Sequence, residues 1–201
     1  MIFAATLHPE STISADDPLV RLRQGDLDAL TDILPQFQFS LYRFLLRMVQ
    51  EPALAEDLFQ QTWLRVIEKI STYKPSRPFQ SWLFSIARNL AIDHLRRKKS
   101  FSIDAPDEFG EAFVDNMAIA GPNPLEEVLE FERGIILSEA LGKLPAIHRE
   151  VLALRFEEGM SLEQIAEVVD IPLSTVKSRL SRALDSLRKH VEIRLSKGDV
   201  S

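Results

Sequence analysis

The sequence predicts an all-α protein, two helical domains joined by an acidic, flexible linker. Three observations lead there. Apolar residues recur at i, i+3 and i+4 along most of the 201 residues, the spacing of packed amphipathic helices. Only seven glycines are present, too few for the turn chemistry of an all-β chain. Charge is also unevenly placed. The formal net charge is −6, yet the stretch from Phe101 to Glu132 holds nine acids and no Lys or Arg. Without that stretch, 24 bases face 21 acids, a balance of +3. Base then concentrates at Arg88–Lys99 and Lys177–Lys189, so two partly basic domains flank an acidic strap.

Residues 1–17 are mixed and polar without period, and read as a flexible tail. Asp17 before Pro18 is a helix-start signal: a capping carboxylate followed by a residue that needs no N–H donor. The first domain is expected over 18–100. Leu19, Leu22, Leu27, Leu30, Ile33 and Leu34 begin its apolar series, interrupted at Gly25-Asp26 and again at Pro35. Leu41, Phe44, Leu45, Met48 and Val49 form a second series. Leu58, Trp63, Val66 and Ile70 form a third, and Phe79, Trp82, Leu83, Ile86 and Leu90 a fourth. Nearly all of these are expected in the core. Pro106, Gly110, Gly121, Pro122 and Pro124 mark 101–124 as the linker. A second domain follows over 125–201, with helical pattern to Leu144, a break at Pro145, and another helix through Val151, Leu152, Leu154 and Phe156.

Ser161-Leu162-Glu163-Gln164 is a capping box opening a short helix, Leu162 to about Val169. Asp170-Ile171-Pro172 is a turn, and a longer helix starts at Leu173 and runs to about His190. This pair is a helix-turn-helix. On the second helix, Val176, Leu180, Ala183, Leu184 and Leu187 share an arc of about 100° and should pack inward. Ser174, Thr175, Ser178, Arg179 and Arg182 occupy the opposite arc of about 140°. Small residues let such a face enter a major groove, and Arg can bond guanine edges with two donors. Lys177 and Arg188 sit at the margin, where phosphates would lie.

Two surfaces of the first domain stand out. Asp57, Gln60 and Gln61 cluster on the polar side of a helix whose other side is core, which suits protein docking. The stretch from Ser71 to Pro78 carries Tyr73, Lys74 and Arg77, an aromatic with two cations, as needed to seat an unpaired base. After it, Asn89, Asp93 and Arg96 fall within about 60° of one another on a helix, with Arg97 just beyond.

Other classes are disfavoured. Zero cysteines exclude a disulfide framework, a thiol nucleophile and a Cys-type zinc site, and suit a reducing, cytoplasmic setting. Met1–Ala5 lacks the basic residues of a secretory leader. No apolar run approaches the ~18 residues of a membrane span, so no membrane insertion is expected. His8, His94, His148 and His190 are scattered, with no His-x-x-x-His, Gly-x-Ser-x-Gly or P-loop. The chain is therefore expected not to be an enzyme, with no catalytic residue, metal or cofactor.

Asp57-Leu58-Phe59-Gln60-Gln61-Thr62-Trp63, then Phe79 to Asn89 with Asp93-His94-Leu95-Arg96-Arg97, then Leu144-Pro145 and Thr175-Val176-Lys177-Ser178-Arg179-Leu180, occur in this order. From about Asp17 to Arg188 the sequence resembles the extracytoplasmic function (ECF) sigma factors, promoter-recognition subunits of bacterial RNA polymerase. The resemblance implies that Asp57, Gln60 and Gln61 dock on the β′ clamp of core polymerase. Tyr73, Lys74, Asn89, Asp93, Arg96 and Arg97 would read and open the −10 element of promoter DNA. Ser174, Thr175, Lys177, Ser178, Arg179 and Arg182 would read the −35 element, with their domain also docked on the β flap. The strap would thread the polymerase interior. The family often has an anti-sigma factor as a further partner, though no residue here identifies one. Gln61 stands where the family more often has an acid. Asp170 stands where Gly is usual, and Asp tolerates the left-handed backbone that such a turn needs. A stand-alone helix-turn-helix regulator would explain the second domain, but neither the second basic helix nor the Asp57–Gln61 surface.

Overall fold

A computed structural model describes residues 17–101 and 134–198. The expected tail lies outside the described residues except for Asp17. So do the linker, except for Phe101, and the first part of the second domain, 125–133. Among the described residues every regular element is helical.

Helix α1 (Pro18–Arg23) starts at the expected signal, with Oδ1 of Asp17 accepting from the Leu19 amide at 2.8 Å. Gly25 turns the chain at φ +94°, where a side chain would be strained. Asp26 then caps a short 3₁₀ turn, Leu27–Ala29, and also holds Arg21 at 2.7 Å. Helix α2 (Leu30–Val49) runs straight through Pro35, contrary to the expected interruption. Pro35 is the sixth residue of α2, past the four amides that lack an intrahelical acceptor, so the helix forgoes the bond that a residue there would donate to the Thr31 carbonyl and continues on the packing of its buried face. Gln50 ends α2 in a left-handed conformation, φ 57°. Pro52 opens α3 (Pro52–Lys69). A 3₁₀ turn, Ile70–Thr72, and the loop 73–78 lead to α4 (Phe79–Phe101).

Helices α2, α3 and α4 enclose Leu41, Phe44, Leu45, Met48, Leu58, Trp63, Val66, Leu83 and Phe84, with Phe44 and Phe84 in ring contact at 5.2 Å. Leu27 departs from the core pattern and is exposed; it sits in the 3₁₀ turn, whose threefold period breaks the apolar stripe.

The C-terminal half contains α5 (134–142), α6 (Ala146–Leu152), α7 (Leu162–Val169) and α8 (Leu173–Gly198). A π turn, Ala153–Glu157, follows α6. Its extra residue per turn rotates Phe156 outward to 64% exposure, where the sequence predicted a continuous helix. The capping box of α7 is closed on both sides: the Gln164 amide donates to Ser161 Oγ, and the Ser161 amide to Gln164 Oε1. Asp170 takes the left-handed turn at φ 54°. Helix α8 continues past the expected end near His190.

The two halves are in contact and share one core. Leu144, Val151, Leu154, Ile165 and Val176 belong to the same buried cluster as Phe44, Leu83 and Phe84. Across the join, the buried Arg149 donates through Nη2 to the Met48 carbonyl at 2.9 Å, and through Nη1 to Leu144 and Gly142 carbonyls. Burial lowers its pKa to about 10, which leaves it cationic at neutral pH. Gln50 Nε2 answers by donating to the Gly142 carbonyl at 2.9 Å. The C-terminal end of α2 is thus capped from the other half of the chain.

Candidate nucleic-acid interface

Asp57, Gln60 and Gln61 all lie exposed on α3. At the next i+3/i+4 position stands Leu64, 60% exposed. Three polar groups and one apolar side chain therefore form a continuous stripe on the side of α3 opposite Leu58, Thr62 and Val66.

The loop 73–78 differs from expectation at its aromatic residue. Tyr73 is 6% exposed. Its ring packs edge-on against Phe79 at 5.5 Å and tilted against Trp82 at 5.3 Å. Its hydroxyl donates to the Arg77 carbonyl at 2.8 Å, closing the loop on itself. Burial pushes the phenol pKa up. In this structure Tyr73 braces the loop and offers no open ring for a base to stack on. Lys74 is exposed at the loop surface, and Asn89, Asp93, Arg96 and Arg97 are exposed along α4. Asn89, Asp93 and Arg96 follow one face of α4 toward its basic end, with Arg97 beside them.

On α8, Ser174, Thr175, Lys177, Ser178 and Arg182 are exposed, while Val176 and Ala183 are fully buried and Leu180 and Leu187 half-buried. Leu184, expected inward, is more than a third exposed. Arg179 is the larger correction. Its guanidinium turns back toward α6 and meets Glu150 Oε1 at 2.8 Å, leaving the side chain 18% exposed. Arg179 lies only about 40° from Ala183 around the helix, so the buried carboxylate is within its reach. His148, on α6, has its pKa lowered by burial and then by the charges of Arg179 and Arg182.

Glu150 is 0% exposed and carries two arginines, one per oxygen. Oε1 takes Arg179, and Oε2 takes Nε of Arg88 from α4 at 3.1 Å. Burial pushes its pKa up, opposed by the two cations. Three further pairs surround this centre. Arg77 meets Glu167 at 3.0 Å, Arg47 meets Glu157 at 3.1 Å, and Gln80 donates to Glu158 at 3.1 Å. Among the described residues no cluster of His, Asp and Glu could hold a metal ion.

Residues 36–101 match the family model Sigma-70 region 2, and residues 140–189 match Sigma-70 region 4. Among similar proteins is the ECF RNA polymerase sigma factor SigW of Bacillus subtilis, 32% identical over 85% of this chain and 93% of the relative. The RNA polymerase sigma factor CarQ of Myxococcus xanthus is 34% identical over 84% of this chain and 92% of its own. The chain belongs to the ECF family of RNA polymerase sigma factors.

In solved structures this sigma factor resembles RpoE in its complex with the anti-sigma factor NepR from Bartonella quintana. The TM-score is 0.66 at 25% identity, over 83% of this chain and 99% of that one. Three features of the sigma factor were not singled out from sequence. Leu64 carried a signal, since it lies off the apolar stripe of α3. Glu150 carried a weaker one, as an acid directly before the apolar run Val151 to Leu154. Arg88 carried none, because one more cation before Asn89 fits any basic helix.

Proposed function

We propose that this chain binds core RNA polymerase and directs it to promoters by reading two separated DNA elements. The observation that carries the reading is the pairing, in one chain, of a region 2 module with a region 4 module whose helix α8 presents Ser174, Thr175, Lys177, Ser178 and Arg182 to solvent. Small hydroxyls flanked by cations suit a helix that enters the −35 major groove. The exposed α3 stripe of Asp57, Gln60 and Gln61 supports docking on the β′ clamp. Lys74, Asn89, Asp93, Arg96 and Arg97 supply a track for the −10 strand, with Tyr73 shaping the loop that carries Lys74. The C-terminal half would also seat on the β flap.

The phosphodiester chemistry belongs to the polymerase, and this chain contributes binding and strand separation. Work beside polymerase places it in the cytoplasm; no helix among the described residues is long and apolar enough to cross a membrane. An anti-sigma factor is a further partner class, supported by the likeness to the RpoE–NepR complex. Run-off transcription with core polymerase on candidate promoters, including that upstream of its own gene, tests the reading. Discrete promoter-dependent transcripts are expected when the chain is added. Transcription no greater than with core polymerase alone on every template would overturn it.

A further inference from the structure

The loop 73–78 has a neighbour outside the matched family segment. Region 2 is matched over 36–101, so α1 lies before it. Yet α1 is a fixed part of the fold. Asp17 caps it, Leu22 is buried in the shared core, and Gly25 turns the chain at once into the next element. The helix packs against the 3₁₀ turn Ile70–Thr72, which leads into the loop.

The two arginines of α1 are used differently. Arg21 is committed within its own stretch of chain, to Asp26 at 2.7 Å and Asp32 at 3.4 Å. Arg23 is exposed, and its side chain has no ion-pair or hydrogen-bond partner among the described residues. Its charge nevertheless reaches the loop. Burial raises the Tyr73 phenol pKa, Asp17 adds to the rise, and Arg23 opposes it. The Asp17 carboxylate is engaged by the Leu19 amide at 2.8 Å, whereas the Arg23 guanidinium is uncommitted. Tyr73 is buried and bonded through its hydroxyl to Arg77, so the loop is held in one place beside α1. Lys74, the next residue, is exposed and likewise has no side-chain partner among the described residues. Two uncommitted cations from separate elements are thus brought to the neighbourhood of Tyr73. Such cations line the path of a single strand's backbone, and a guanidinium can bond two oxygens of one phosphate.

We propose that α1 is part of the −10 interface, with Arg23 holding a backbone phosphate of the opened strand beside the loop 73–78. A phosphate contact fixes position and carries no base information. The proposal deepens the sigma-factor reading and rests on its assignment of this loop.

The chain has no cysteine, so single-site labelling is clean. A photoactivatable aryl azide is placed on Arg23→Cys, on Lys74→Cys, and on Arg65→Cys, an exposed α3 position that pairs with Glu68 at 3.1 Å. Each conjugate is assembled with core polymerase on a promoter fragment identified by run-off transcription and mismatched over its −10 element. Cross-links to DNA beside −10 are expected from 23 and 74, and none from 65. In parallel, Arg23→Ala should weaken holoenzyme binding to that fragment several-fold. Its plot of log affinity against log salt should be shallower by about 0.7, the loss of one single-strand phosphate contact, with base preference unchanged. Arg23→Lys should retain most of the affinity. Cross-linking from 74 but not from 23 would overturn the proposal and leave the loop's assignment standing; cross-linking from neither would overturn both. Equal cross-linking from 65 would overturn the proposal as well. So would an unchanged salt slope in Arg23→Ala with a loss of core-polymerase affinity, which would make Arg23 a protein contact. The function proposed above fails separately, when wild type gives no promoter-dependent transcript, and the proposal then falls with it.

Discussion

Arg179 and Arg182 stand one turn apart on α8, and their environments give them different work. Arg182 is exposed, whereas Arg179 is held by the buried Glu150. Arg182→Ala should therefore change base preference at one promoter position, at a cost of roughly 1–3 kcal/mol for the favoured base. Arg179→Ala should weaken binding to all sequences alike and lower stability. The stability loss should fall somewhat below the roughly 3–5 kcal/mol of a broken buried pair, because Arg88 still serves Glu150. Binding of each variant holoenzyme to single-base promoter variants, with urea melts of the free chain, checks both. A change in base preference from Arg179→Ala would reverse the assignment. His148 adds a pH effect. Its folded pKa lies below its ordinary value, because burial and two arginines disfavour the imidazolium. The unfolded chain then binds a proton more readily, so this contribution is present above about pH 6.5 and is lost as pH falls through the folded value. The stability difference between wild type and His148→Gln should shift against wild type between pH 7 and pH 5. A pH-independent difference would remove His148 from that role.

At the scale of elements, backbone conformation explains why this turn works without glycine. Asp170 sits at φ 54°, a region that costs most L-residues roughly 1–2 kcal/mol and short polar ones less. Asp170→Val should thus lose about 1–2 kcal/mol in a urea melt, while Asp170→Gly should stay within about 0.5 kcal/mol of wild type, conformational relief offsetting the entropy of a freer unfolded chain. Equal stability of the two variants would contradict this. Elements of this kind were legible in the sequence because their signals are local. The capping box at Ser161–Gln164 and the cap at Asp17 each lie within a few residues of what they control, and α7 has the predicted span, Leu162–Val169. What was hidden depends on partners distant in the chain. Tyr73 beside two cations reads equally as a stacking platform or a brace; Phe79 and Trp82 decide for the brace. Averaging over a helix face placed Arg179 with the solvent set, and only the packing of α6 against α8 reveals the carboxylate beneath it. The π turn leaves no compositional trace, so the sequence reads Phe156 as part of a continuous helix.

For the whole molecule, the shared core has a thermodynamic consequence. Each half is small, and a small domain buries too little of its surface to be robust alone. Here apolar contact continues from Phe44 and Leu83 into Val151 and Ile165, and Arg149 caps α2 across the join. The free chain should therefore unfold in one transition. Its only two tryptophans, Trp63 and Trp82, both lie in the N-terminal half, so their fluorescence follows that half alone, while far-ultraviolet circular dichroism follows helices in both. Coincident midpoints are expected for wild type, the usual sign of a single cooperative unit. Glu157→Lys/Glu167→Lys replaces two attractions with repulsions at partly exposed sites. Such pairs contribute about 0.2–1 kcal/mol each, so a total loss of about 1–2 kcal/mol in coupling is expected, with little change to either half by itself. The two probes should then separate in the variant. Split midpoints in wild type would mean that the halves fold independently, and coincident midpoints in the variant would mean that coupling rests on the apolar join and on Arg149, with the rim carboxylates contributing little.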